Sequence, residues 1–176
     1  MKTKLSVNIN KVATLRNSRG GHTPDVVQFG IDVQRFGADG VTVHPRPDER
    51  HIRYSDVYDL KPEVYTEFNI EGNPIEKFIA LVLEIKPAQV TLVPDSIDAI
   101  TSNAGWDTIA NKDFLIDVIK TFKAEGIRTS IFLDPEIRQV EGAKETGTDR
   151  IELYTEEFAR QYALGNSEGI KPYIQA

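Results

Sequence analysis

Short runs of aliphatic and β-branched residues alternate along the chain with longer stretches in which apolar positions recur at helical spacing. The runs at 5–9, 40–44, 66–71, 89–93, 128–133 and 150–154 read as strands. Most are apolar on both sides or nearly so, which predicts parallel strands covered by helices. Between them, Val26, Phe29, Val33 and Phe36 set the apolar stripe of a helix over 24–36. Asn73 and Pro74 read as an N-cap and a first helical proline, ahead of a stripe of Ile75, Phe78, Ile79, Val82 and Leu83 that stops at Pro87. Residues 112–123 repeat the pattern with Phe114, Leu115, Val118, Ile119 and Phe122, ending at Gly126. A shorter helix fits 135–144, and a brief one after Ser55 breaks near Pro62. Ile170, Tyr173 and Ile174 open an amphipathic helix at the end of the sequence.

Strands and helices in alternation build either an open doubly wound sheet or a (β/α) barrel. The barrel is favoured because the strands end in polar residues: Asn8, His44, Glu71, Asp95, Asp134 and Glu152. Side chains at the carboxyl ends of barrel strands meet at one mouth. The chain has neither the Gly-x-Gly-x-x-Gly pattern nor a P-loop. Six units are visible, whereas a TIM (β/α)8 barrel has eight in about 250 residues. The expectation is an α/β chain of the TIM-barrel family, with residues 1–176 forming one incomplete domain. The last two β/α units would be missing through C-terminal truncation.

Composition narrows the chemistry. The net charge of −6, from 21 basic and 27 acidic residues, argues against nucleic acid as a partner. A small phosphorylated ligand stays open, because one or two arginines suffice to hold it. With no cysteine, disulfides, thiolate catalysis and cysteine-based zinc sites are excluded. Neither a signal-like start nor a span of membrane length is visible, which points to a cytoplasmic protein without a membrane partner.

Candidate chemistry gathers in the segments that follow the strands. After the first strand, Asn8 and a loop with Arg16 and Arg19 offer an amide and guanidinium forks to a phosphate, or surface ion pairs. In the second, His44, Arg46 and His51 lie close together, and a strand-end histidine suits general acid–base work, or else simply bonds a backbone carbonyl. The spacing is not that of a zinc helix, so no metal is indicated. Glu71 among apolar neighbours is a carboxylate whose pKa should rise, or else a partner of Arg19 or Arg46; Glu152 carries the same ambiguity. The small and hydroxyl-bearing residues of 99–107 suit a sugar or phosphate, a weak signal by itself.

Taken in order, N-I-N-K-V-A-T-L-R-N-S-R-G, G-A-D-G-V-T-V-H-P-R-P-D-E-R-H-I, E-F-N-I-E-G, V-T-L-V-P-D with I-T-S-N-A-G-W-D, S-I-F-L-D and R-I-E-L-Y-T resemble the pyridoxine 5'-phosphate synthase family through essentially the whole chain. The resemblance implies a TIM barrel that condenses 1-deoxy-D-xylulose 5-phosphate with 3-amino-2-oxopropyl phosphate. Pyridoxine 5'-phosphate, inorganic phosphate and water are released, and neither metal nor organic cofactor is needed. It further implies that Asn8 and Arg19 contact the amino-oxopropyl phosphate. Asn10 and Lys11, where many members carry Asp-His, together with Arg46, His51 and Thr101, would contact the sugar phosphate. His44 and Glu71 correspond to general bases and Glu152 to a transition-state stabiliser. The family assembles as octamers, so a homo-oligomer is expected.

The departure lies beyond the sixth strand. Family members continue to an Asn-Ala-Gly-His motif, whose histidine donates a proton, and to a Gly-His phosphate contact. Neither occurs in these 176 residues, and His22 stands in the first loop. The expectation is a chain inactive or nearly so in this form. Two other readings stand beside it: a non-catalytic phosphate-ligand binding barrel fragment, and a Schiff-base aldolase, which wants a strand-end lysine that no strand supplies.

Overall fold

The structure is a computed structural model that describes residues 2–95 and 104–176. Strands β1 (Ser6–Asn8), β2 (Gly40–Val43), β3 (Glu67–Gly72), β4 (Gln89–Leu92), β5 (Arg128–Leu133) and β6 (Arg150–Leu153) form one parallel sheet in that spatial order. The sheet is curled. Arg150 of β6 reaches Glu67 of β3 at 3.4 Å. On a flat sheet, strands three places apart lie about 14 Å from each other. With a helix between successive strands, this is six units of a (β/α) barrel, as the strand-end pattern predicts.

The strands differ from expectation in their faces. They alternate. Val41, Val43, Phe68, Ile70, Val90, Leu92, Ile131 and Leu133 point to the helices and form the core. Ser6, Thr42, Asn69, Gln89, Ser130 and Arg150 point to the concave side, where they line a cavity of about 630 Å³. The pairing register carries this parity from strand to strand: Ser6 opposite Gly40, Thr42 opposite Asn69, Asn69 opposite Gln89, Ser130 opposite Arg150. The inner wall is a hydrogen-bonded lattice, with Ser6 and Thr42 hydroxyls 2.7 Å apart and Thr91 donating to Asn69 at 3.1 Å. At its amino-terminal end Glu67 meets Arg128 at 2.6 Å and Gln89 accepts from Arg128 at 2.8 Å. Short polar residues between aliphatic ones are easily read as two-faced apolar strands.

Helix α1 (Asn10–Ser18) occupies the segment expected to be a loop. It buries Ala13 and Arg16, and its strong helix formers Lys11, Ala13, Leu15 and Arg16 carry the turn count. Helix α2 (Val26–Arg35) starts at Asp25, whose side chain accepts from the amides of Val27 and Gln28. Its buried face is Val26, Gly30, Val33 and Gln34, so the expected stripe was mis-phased: Phe36 is 87% exposed. Gln34 is buried because its carboxamide accepts from Tyr65 and Thr66 amides and steers the chain into β3.

Helix α3 is Tyr54–Leu60. In α4 (Glu76–Ile85) the cap falls at Ile75, not Asn73. Asn73 instead donates to the carbonyl of Asp95 at 2.6 Å. Lys86, in the left-handed region at φ 51°, stops this helix ahead of Pro87. Helix α5 (Lys112–Ala124) follows the expected phase except that Phe114 is exposed, and α6 (Ile137–Thr146) lies two residues later than the expected 135–144. After β6 come α7 (Glu156–Ala163), a 3₁₀ turn (Ser167–Ile170) and α8 (Lys171–Gln175). The Tyr173 hydroxyl donates to the Tyr154 carbonyl at 2.9 Å, which sews this tail to the end of β6. Among the described residues no helix is long and apolar enough to cross a membrane.

Candidate active site

The carboxyl ends of the strands bring the polar residues together at one rim. Asn8 ends β1, and its amide nitrogen lies 3.4 Å from Glu71 Oε2 on β3. His44, one residue past β2, places Nδ1 3.8 Å from the same oxygen and Nε2 3.7 Å from Asp95 Oδ2, beyond β4. Asp95 is ion-paired with Arg46 at 2.9 Å, both side chains almost wholly buried. The Arg46 guanidinium is thus engaged by Asp95. Asn10, opening α1, ties two strand ends together, since its Oδ1 accepts from the backbone amide of His44 at 2.8 Å. Its own amide donates to Asn8 Oδ1. Glu152 on β6 lines the same cavity as Asn8 and Glu71.

The electrostatics follow from burial. Desolvation is the main cause that lowers His44 to about 3, helped by the charges of His51 and Arg46. The imidazole is thus neutral at pH 7. Glu71 moves the other way, held well above the usual carboxylate range by burial and then by the negative charges of Glu152 and Asp95. Burial also raises Glu152. A neutral histidine and a carboxyl poised to keep its proton, in one pocket, are a pair suited to proton transfer.

His51 stands beside His44, with ring centroids 5.9 Å apart in an edge arrangement. Burial and then Arg46 lower it to about 4. Its Nδ1 accepts from the Ile52 amide at 2.9 Å, so the neutral ring carries its proton on Nε2. The segment that holds it is pinned by α1. Arg16 is a buried ion-pair partner of Asp56 at 2.5 Å rather than a phosphate ligand or a surface charge.

The structure therefore gathers Asn8, Asn10, His44, Arg46, His51, Glu71 and Glu152 as a rim cluster. Lys11 is exposed on the first turn of α1 and near enough for its charge to be felt at His51. Arg19 is the exposed C-cap of α1, and among the described residues no hydrogen bond or ion pair joins it to the cluster. Thr101 lies outside the described residues. Sequence reasoning marked Asp95 as a strand end but missed that it bridges His44 and Arg46. It likewise marked Asp134 as a strand end without foreseeing that its carboxylate accepts from the Gly105 amide at 2.9 Å and anchors the return to α5. A carboxylate at each strand end was the available signal for both. Among the described residues no group of three or more His, Asp or Glu is placed to hold a metal ion.

A curled parallel sheet with its titrating groups at the carboxyl rim defines the class: a protein of the (β/α)-barrel kind, with a polar cluster at the end where such barrels carry their active sites. The solved structure of L-ribulose 3-epimerase shares the fold, at a TM-score of 0.50 and 14% identity over 86% of this chain and 60% of that one. The chain belongs to the family of pyridoxal phosphate biosynthesis protein PdxJ, whose model matches residues 5–176. It is 67% identical over 174 residues to pyridoxine 5'-phosphate synthase of Flavobacterium johnsoniae, covering 99% of this chain and 73% of that protein. The enzymes of the same name from Christiangramia forsetii and Cytophaga hutchinsonii are 64% and 61% identical, over 98% and 99% of this chain and 73% of each of them.

Proposed function

We propose that this chain carries the substrate site of a pyridoxine 5'-phosphate synthase. That site would condense 1-deoxy-D-xylulose 5-phosphate with 3-amino-2-oxopropyl phosphate into pyridoxine 5'-phosphate, inorganic phosphate and water, in the cytoplasm. The observation that carries the reading is the His44–Glu71 contact at the mouth, with Arg46 and His51 beside it. Condensation of an amine with a ketone, loss of water and phosphate, and ring closure each move protons. His44 and Glu71 serve as bases, and Glu152 as the group that steadies developing positive charge. Asn8 and Arg19 take the amine-bearing phosphate. Asn10, Lys11, Arg46, His51 and Thr101 take the sugar phosphate. Neither a metal nor an organic cofactor enters the scheme.

Burial, with the charges of His51 and Arg46, holds His44 well below an ordinary histidine. A phosphate dianion set against Arg46 would offset one of the positive charges that lower the two histidines, a smaller cause than burial, and so raise both in part. Proximity of the two reactants in one mouth supplies much of the remaining rate.

A second reading, a non-catalytic phosphate-ligand binding fragment, is favoured by one observation. β1 and β6 share no ladder, so the cavity is open on that side. We infer that these 176 residues, assayed by themselves, turn over at least about 100-fold more slowly than a relative that supplies a further general acid. Turnover of both substrates, followed by product absorbance beside calorimetry with each substrate, separates the readings. Binding with slow product formation supports the synthase site, binding with none supports the fragment, and no binding of either phosphate sinks both.

A further inference from the structure

The residues that hold the second rim segment in place are not those that face the cavity. Asn17, in the last turn of α1, donates its carboxamide nitrogen to three consecutive carbonyls: Glu49 at 3.4 Å, Arg50 at 3.1 Å and His51 at 2.8 Å. Its Oδ1 accepts from Arg16 Nε at 3.0 Å, which fixes which way the amide faces. Arg16 forks onto Asp56 at 2.5 and 2.9 Å and sends a further bond to the His51 carbonyl at 3.3 Å. Asp56 in turn accepts from the Arg53 amide at 2.7 Å, closing the start of α3. Within this frame Glu49 sits in the left-handed region at φ 53°, a conformation a non-glycine residue keeps only when its surroundings impose it.

We propose that Asn17 is a positioning residue that sets the 45–53 segment, and through it the His51 ring, for a sugar-phosphate ligand. The carboxamide grips the carbonyl of His51 while the ring's Nδ1 accepts from the next amide, so the ring's rotation and its Nε2 proton are both set by backbone geometry. Loss of the grip frees Glu49 to leave its unfavoured conformation, and the turn that carries His51 relaxes toward water. The consequence for ligand affinity rests on the proposed sugar-phosphate role of His51; the placement of the ring and its proton does not.

The protein has three histidines, so long-range proton–nitrogen spectra of the ¹⁵N-labelled chain resolve each ring. His22, exposed, serves as the internal control. The charged groups that bear on His51 are Arg46, Asp48, Arg50 and Lys11, with His44 edge-on to it, and Asn17→Ala alters none of them. In Asn17→Ala, His51 is expected to lose its fixed Nε2-H form and to titrate about one unit or more closer to an ordinary histidine. Calorimetric affinity for 1-deoxy-D-xylulose 5-phosphate should weaken about tenfold. Asn17→Ser, which keeps one donor, should fall between. A folded Asn17→Ala chain with an unmoved His51 ring overturns the proposal. If the ring moves but affinity does not, the positioning role stands and the sugar-phosphate reading of His51 fails. Should neither variant fold, Asn17 serves folding and the proposal is wrong.

Discussion

At the level of single residues, the rim couples stability to proton uptake in two opposed directions. His44, lowered to about 3 in the folded chain, takes up its proton in the unfolded chain first. Its contribution is present above the ordinary histidine value of 6.5 and is lost as pH falls below it, by up to about 1.4 kcal/mol per pH unit. Glu71, raised, binds its proton first in the folded chain, so it destabilises as pH rises from the ordinary carboxylate value toward its folded one. His44→Asn is therefore expected to flatten the acid limb of stability between about pH 6 and 4 in denaturant titrations. Arg46→Met leaves Asp95 buried without that ion pair and should cost roughly 3–5 kcal/mol. Adding Asp95→Asn should recover part of the loss, measured by the same unfolding curves.

Among the elements, Gly72 shows how β3 and α4 fix Glu71. A Cβ there would stand 2.3 Å from the Phe78 ring, which is fully packed against the strand. Gly72→Ala should destabilise by about 1–3 kcal/mol or more and broaden the Glu71 carboxyl signal, followed by carbon-detected titration. The same element was legible in advance: the strand expected over 66–71 lies one residue before Glu67–Gly72. The rim residues were legible too, because barrel strands of whatever register deliver their last side chains to one end. What escaped was of a different kind. The inner wall escaped because Ser6, Thr42, Asn69 and Thr91 are bonded to one another across strands that no local window contains. Helix α1 escaped because its buried arginine is a partner of Asp56, forty residues away in sequence, and an arginine does not announce an inward face.

At the scale of the sheet, β1 and β6 each lack a neighbour on one side among the described residues. Unpaired strand edges invite pairing with other chains. The homo-oligomer expected from the family resemblance and a concentration-dependent polydisperse association would give different light-scattering profiles. A single stable mass favours the first, and a mass that climbs with concentration favours edge pairing. Arg150 and Lys4 near these edges should slow the second by charge, so Arg150→Thr is expected to hasten it.

The hydrophilic lattice on the concave side carries a thermodynamic implication. A tube lined with oil gains most of its cohesion on closing, when the last staves exclude water from the bore. Here most of the oily layer, Phe132 excepted, lies between staves and outer helices, while much of the bore offers hydroxyls, amides and charges already bonded to their neighbours. An arc of such staves can therefore reach most of its cohesion before any ring is completed, and its wetted inside exposes little that must be hidden.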